Sequence, residues 1–81
     1  MNRHDVIKYN DANYKVLFTF DIENVGKSYA VIYPEGGNGQ TDLEVVTYKY
    51  VGESLTLGTP TGEYEWGIID KKIEGYFEVF G

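Results

Sequence analysis

The chain contains no cysteine, one histidine, one methionine, one tryptophan and two prolines in 81 residues. Without cysteine there is no disulfide, no thiolate nucleophile and no zinc–thiolate centre. A single domain this short buries only about 60–65% of its unfolded surface. Its stability must therefore come from its own core or from association with another chain. Basic residues are also scarce, seven Lys and Arg against thirteen Asp and Glu, for a net charge of −6. Binding nucleic acid through phosphates needs clustered Lys and Arg, so no direct nucleic-acid contact is expected. No apolar run approaches the roughly 18 residues of a membrane span, and no basic-then-apolar start marks a signal peptide. A cytoplasmic protein that stays off the membrane is expected.

The single histidine, His4, lies in Met1–Asp5, a polar stretch expected to fray. A general base needs a fixed ring and an orienting partner, which leaves His4 as a solvated terminal residue. Ser28 and Ser54 then lack a structured histidine to activate them. No catalytic, cofactor-binding or metal-binding residue is assigned, and no cofactor is implied.

What the chain does have is alternation. Across Tyr14–Asp21, Tyr14, Val16, Phe18 and Phe20 fall on one face of an extended strand; Lys15, Thr19 and Asp21 fall on the other, with Leu17 among them. Val6–Tyr9 is a shorter strand before it, and Asn10-Asp11-Ala12-Asn13 is turn chemistry, because Asn and Asp tolerate left-handed backbone. Glu23–Gly26 turns the chain into Lys27–Tyr33. There Tyr29, Val31 and Tyr33 face one way and Ser28, Ala30 and Ile32 the other, with no charge on either face, as suits a central strand. Pro34 closes it, and Glu35–Thr41, with three glycines, reads as a mobile loop. Asp42–Val51 is a long strand, Gly52-Glu53 a two-residue hairpin turn, and Ser54–Leu57 the returning strand.

Glu63–Phe80 changes period. Trp66, Ile69, Ile73, Tyr76, Phe77 and Phe80 recur at steps of three and four and fall within an arc of about 100° at helical pitch. Thr59-Pro60 suits the helix entry as cap and first residue, with Thr61 a rival cap. A hairpin turning at Lys71-Lys72 is the competing reading, but it would leave Ile69, Tyr76 and Phe80 outside. The expected fold is α+β: an antiparallel meander of about five strands, one C-terminal amphipathic helix packed on one face, and a single small domain spanning 1–81. Trp66 is expected to be buried against Val16, Phe18 and Phe20.

Several motifs carry less than they first suggest. Asp21–Gly26 has Asp first and Gly sixth, as a calcium loop does, but Val25 is fifth and Ile32 stands where a bidentate Glu belongs. A hairpin turn is the simpler reading. Gly36-Gly37-Asn38-Gly39 lacks the Gly-Lys-Ser/Thr and the helix of a phosphate loop. Tyr48 and Tyr50 share a strand face and could stack bases, but the acidic balance favours ordinary packing. One group stands apart. Tyr64, Ile68 and Val79 lie on the helix side away from Trp66 and Ile73, where grouped apolar residues can mark a contact surface.

The run Tyr14-Lys15-Val16-Leu17-Phe18-Thr19-Phe20-Asp21, then Gly26-Lys27-Ser28-Tyr29, then Ile32-Tyr33-Pro34, resembles the core of the YrzB-like family of small acidic bacterial proteins. Glu44–Tyr50, Leu55 and Leu57 before Pro60, and Glu65-Trp66 opening the terminal helix continue it, over roughly Ile7–Phe80. This helix departs from the family's glycine-poor one at Gly62, Gly67 and Gly75, and Ala12 and Asn13 stand where a turn glycine is frequent. The resemblance implies a cytoplasmic bacterial protein with no established activity, cofactor or catalytic residue. Genes of that family often lie beside one for a Holliday-junction-resolvase-like nuclease, an association that transfers no residue.

The biochemical activity is not legible in these residues. The reading they favour is a non-catalytic protein–protein interaction module with a protein partner or a second copy of itself, using Tyr64, Ile68 and Val79. The alternative is an acidic mimic of nucleic acid that occupies a DNA- or RNA-binding protein. A small-molecule enzyme ranks last, because an 81-residue meander offers little volume for a pocket.

Overall fold

The computed structural model describes residues 1–80. Five strands, β1 (Val6–Tyr9), β2 (Ala12–Ile22), β3 (Lys27–Pro34), β4 (Glu44–Val51) and β5 (Ser54–Gly58), precede one helix, α1 (Glu63–Phe80). They form an antiparallel meander in sequence order, with β3 at the centre. Tyr29, Ala30, Val31 and Ile32 of β3 have no exposed surface, as the charge-free run Ser28–Tyr33 requires.

Turn chemistry sets the register. Tyr9 pairs with Ala12, and the two residues between them, Asn10 (φ 51°) and Asp11 (φ 61°), are both left-handed. That is the type I′ geometry whose twist matches a hairpin. Val51 pairs with Ser54 across Gly52 (φ 63°), so glycine occupies the turn position with positive φ. The loop after β3 is tied internally: Pro34 O accepts from Gly37 N at 2.7 Å, and Asp42 Oδ2 accepts from Asn38 N at 2.9 Å.

A break in the β2–β3 ladder divides the interior in two. Val16 pairs with Ile32, but Phe18 pairs with Val31, so Leu17 is the extra residue of a β-bulge. A bulge shifts the alternation by one, and side chains beyond it change face. The expectation that Tyr14, Val16, Phe18 and Phe20 share one face is thereby corrected. Tyr14 and Val16 join Ile7, Ala30, Ile32 and Val46, with Tyr48, Leu55 and Leu57 against them. This first core draws on all five strands and has no helix over it, so the sheet curls around it, nearly as a barrel. Phe20, beyond the bulge, turns to the opposite face and meets Ile22, Tyr29 and Ile69, with Val25, Val45, Ile68 and Ile73 alongside. Phe18 stacks on Tyr76 of the helix, ring centroids 4.4 Å apart. Each fully buried large apolar side chain contributes about 1.5–3 kcal/mol.

The helix starts at Glu63, later than Thr59-Pro60 would place it. Gly62 (φ 85°) precedes it, and its carbonyl accepts from Trp66 N at 3.3 Å. Pro60 is buried in the approach. The helix is also rotated from the expected face. Ile69 is fully buried, but Trp66 is 38% exposed and Phe80 62% exposed, while Glu65 is 94% buried. The predicted burial of Trp66 against Val16, Phe18 and Phe20 is corrected: Val16 lies in the other core, and Ile69 and Tyr76 take the central positions.

Met1–Asp5 lies along the sheet. His4 N donates to Val16 O at 2.8 Å, and Val16 N to Asp5 O at 2.9 Å. The Arg3 guanidinium sits 5.7 Å from the Tyr76 ring centre and 5.5 Å from that of Phe80, in cation–π range. The last turn of α1 has no basic residue of its own. Arg3 brings a positive charge to the negative end of the helix dipole from elsewhere in the chain.

Candidate functional site

Three features of the surface have chemistry to offer. The first is the polar knot where α1 meets the sheet. Thr61 N donates to Glu65 Oε2 at 3.0 Å and Lys27 Nζ donates to Glu65 Oε1 at 3.3 Å. Glu65 thus reaches back over the first turn, as the acidic residue of a capping box does. The bond from the Thr61 amide, helped by Lys27, holds its carboxyl below the ordinary carboxylate value against the opposing effect of burial. The Tyr29 hydroxyl is buried beneath and meets no partner with hydrogen-bond geometry. Burial, with the neighbouring Glu65 carboxylate adding to it, pushes the Tyr29 phenol up to about 12. The sequence gives no sign of this knot, because Glu65 stands there only as an acid in the first turn of the helix, where an exposed carboxylate is the ordinary case.

The second feature is the outward surface of α1. Of the three residues singled out from the sequence, Tyr64 is 58% exposed and Val79 73% exposed, but Ile68 is half-buried against the second core. The Tyr64 hydroxyl accepts from Asn24 Nδ2 at 3.3 Å, which ties it to the β2–β3 turn. Between the two apolar flanks run Glu63, Asp70, Glu74 and Glu78, all exposed, with one exposed base, Lys71, beside Glu74 and Glu78. Asp70, Glu74 and Glu78 are four residues apart, a row with about 6 Å of rise per step. Gly67 and Gly75 lie on this surface too, and a Cβ at either would meet nothing within 4 Å. Packing inside the chain does not require those glycines, although each costs a helix about 1 kcal/mol relative to Ala.

The third feature is a cleft of about 350 Å³ at one end of the sheet, bordered by Lys27 and Ser28 of β3, Thr47 and Lys49 of β4, and Thr56 and Gly58 of β5.

The remaining motifs resolve into structure. Asp21–Gly26 is a hairpin connection: Ile22 O accepts from Gly26 N at 2.9 Å, and Asp21 pairs with Ser28. Tyr48 packs on the first core, with Tyr50 edge-on beside it. His4 lies alongside Val16, five residues or about 16 Å of strand from Asp21, so it is not brought to Ser28. Among the described residues, no three His, Cys, Asp or Glu side chains stand close enough to share a metal ion. No helix among them is long and apolar enough to cross a membrane.

Comparison with known proteins places this arrangement among bacterial relatives. The chain is 40% identical over 75 residues to a UPF0473 protein of Lacticaseibacillus casei, covering 85% of this chain and 71% of the relative. It is 41% identical over 74 residues to a UPF0473 protein of Levilactobacillus brevis, covering 83% and 72%. One from Pediococcus pentosaceus is 27% identical over 74 residues, covering 83% and 77%. No family model matches the chain, and no solved structure matches it.

Proposed function

Given that the chain belongs to the UPF0473 family of bacterial proteins, a name that carries no activity, we propose that it is a non-catalytic protein-interaction module of the cytoplasm. We read the YrzB-like resemblance as pointing to this same family. The observation that carries the proposal is the outward surface of α1. Tyr64, Val79 and Trp66 stand exposed on one 18-residue helix, two of them aromatic, while Val6, Tyr50 and Val51 are the exposed large apolar residues of the strands. An acidic row lies between them, and two glycines there leave the helix backbone open to close approach. Exposed aromatics rimmed by charge are what protein interfaces use as anchors. The acidic row selects a partner surface rich in Lys and Arg.

The test pairs Tyr64→Ser with Val79→Asp. Both positions are more than half exposed, so the double variant is expected to melt like the wild type while losing a partner captured by the wild type from a cell extract, or losing self-association. A wild-type chain that stays strictly monomeric and captures nothing specific would overturn the proposal.

The spacing of Asp70, Glu74 and Glu78 favours a second reading, mimicry of a phosphate row. On that reading the chain competes with duplex DNA for a basic DNA-binding protein, and neutralising the row with Asn and Gln abolishes the competition. Competition that survives neutralisation rules the mimic out.

A further inference from the structure

The cleft between β3, β4 and β5 plays no part in the helix-surface proposal. It arises where the sheet splays. β3 pairs with β4 only as far as Ser28↔Tyr48, while β4 and β5 run on together through Lys49↔Thr56 and Tyr50↔Leu55 to Val51↔Ser54. The β3 chain turns away toward β2 at Gly26, and the β3 side of β4 past Tyr48 has no partner strand. At about 350 Å³ the opening lies at the small end of ligand-binding pockets, which run from about 300 to 1,000 Å³.

Its chemistry differs from that of the rest of the surface. The chain has thirteen carboxylates and seven basic side chains. Yet the residues bordering this cleft include Lys27, Lys49, Ser28, Thr47 and Thr56, and no Asp or Glu. The Thr47 hydroxyl is seated by a glycine: a Cβ on Gly58 would lie 2.6 Å from Thr47 Oγ1, too close for any other residue without displacing it. Lys27 gives one contact to Glu65 at 3.3 Å and remains 45% exposed. An ammonium has three donors, so Lys27 keeps capacity for a second acceptor.

We propose that this cleft binds the phosphate group of a small phosphomonoester, with Lys27 and Lys49 as charged donors and the Thr47 and Thr56 hydroxyls, on the same face of the sheet, as neutral ones. A tetrahedral dianion offers more acceptor oxygens than a carboxylate and makes use of donors arriving from three strands. The net charge of the chain does not prevent this. At physiological salt, charges beyond about 8 Å are largely screened, and the ligand responds to the two lysines at the cleft.

The test is an amide chemical-shift titration of the full chain with inorganic phosphate, with glycerol phosphate and with acetate, at matched ionic strength. Glycerol phosphate is expected to give saturating shifts confined to residues 26–28, 47–49 and 56–58. Equal saturation by inorganic phosphate identifies free phosphate as a sufficient ligand; saturation by the ester alone assigns part of the affinity to the organic group. Lys49→Met, an exposed substitution, should weaken binding at least tenfold while leaving distant amide signals in place. Gly58→Ala should weaken it by displacing the Thr47 hydroxyl. No saturation by either phosphate, acetate binding as tightly, or unchanged affinity in Lys49→Met would overturn the assignment.

Discussion

Truncating Ile69 to alanine should cost this domain far more than truncating Trp66, although Trp66 is the larger side chain. Ile69 has no exposed surface and sits between the helix and the rings of Tyr29 and Phe20. Those neighbours stand on paired strands and cannot collapse into the space left behind. Losing a buried isoleucine costs about 2–5 kcal/mol, with the upper half applying where the cavity persists. At about 0.05–0.15 kcal/mol per residue, a domain of this size holds about 4–12 kcal/mol in total. Trp66 is 38% exposed, so only part of its surface is regained by water on truncation, and a loss of about 1–2 kcal/mol follows from the area removed. Urea melts followed by far-UV circular dichroism make the comparison without using tryptophan as the probe. With a slope near 1 kcal/mol per molar, the two midpoints should differ by about 2 M. If Trp66→Ala loses as much as Ile69→Ala, the helix is rotated about its axis from the position described, and the account of the second core fails with it.

The Glu65 carboxyl is held low by the Thr61 amide and Lys27. Its contribution is therefore present above the unfolded value and is lost as pH falls through the folded one. Glu65→Gln should flatten the acid limb of the stability profile below about pH 4.5, and an unchanged limb would remove Glu65 from the account. The Tyr29 phenol runs the other way. Its value rises from 10.0 to about 12, so stability should fall between those two pH values as the unfolded chain ionises first. Tyr29→Phe should abolish that fall and, by removing an unpaired buried hydroxyl, leave stability at neutral pH equal or higher; a loss above about 1 kcal/mol would mean that the hydroxyl is bonded to Glu65 in solution. Asp11→Gly, at a left-handed position of the first hairpin, should stabilise by about 0.5–1 kcal/mol. A lower melting temperature would contradict the type I′ assignment.

The sequence by itself determined the elements and their order. Period-two runs bounded by Asn-Asp, Gly26, Pro34 and Gly52 can only be strands joined by turns, and the charge-free Ser28–Tyr33 run belongs in the middle of a sheet. The change to period 3.6 after Gly62 marks the helix over the same residues that form it. Each of these signals is local, carried by backbone preference or by a face repeated within one segment. Tertiary structure alone decided which faces meet. The bulge at Leu17 sends Val16 and Phe18 to different faces, Val16 into the first core and Phe18 onto Tyr76 of the helix, and nothing in the run Val16–Phe20 distinguishes a bulged strand from a straight one. The same limit hid the burial of Glu65 and the exposure of Trp66. A first-turn glutamate is buried only because Lys27, 38 residues earlier in the chain, and the Thr61 amide arrive to pair it. With Glu65 turned inward, Trp66 is left 38% exposed, away from the face the hydrophobic pattern prefers. The cleft beside Lys27 and Lys49 was hidden for the same reason, since it exists only where β3 parts from the still-paired β4 and β5.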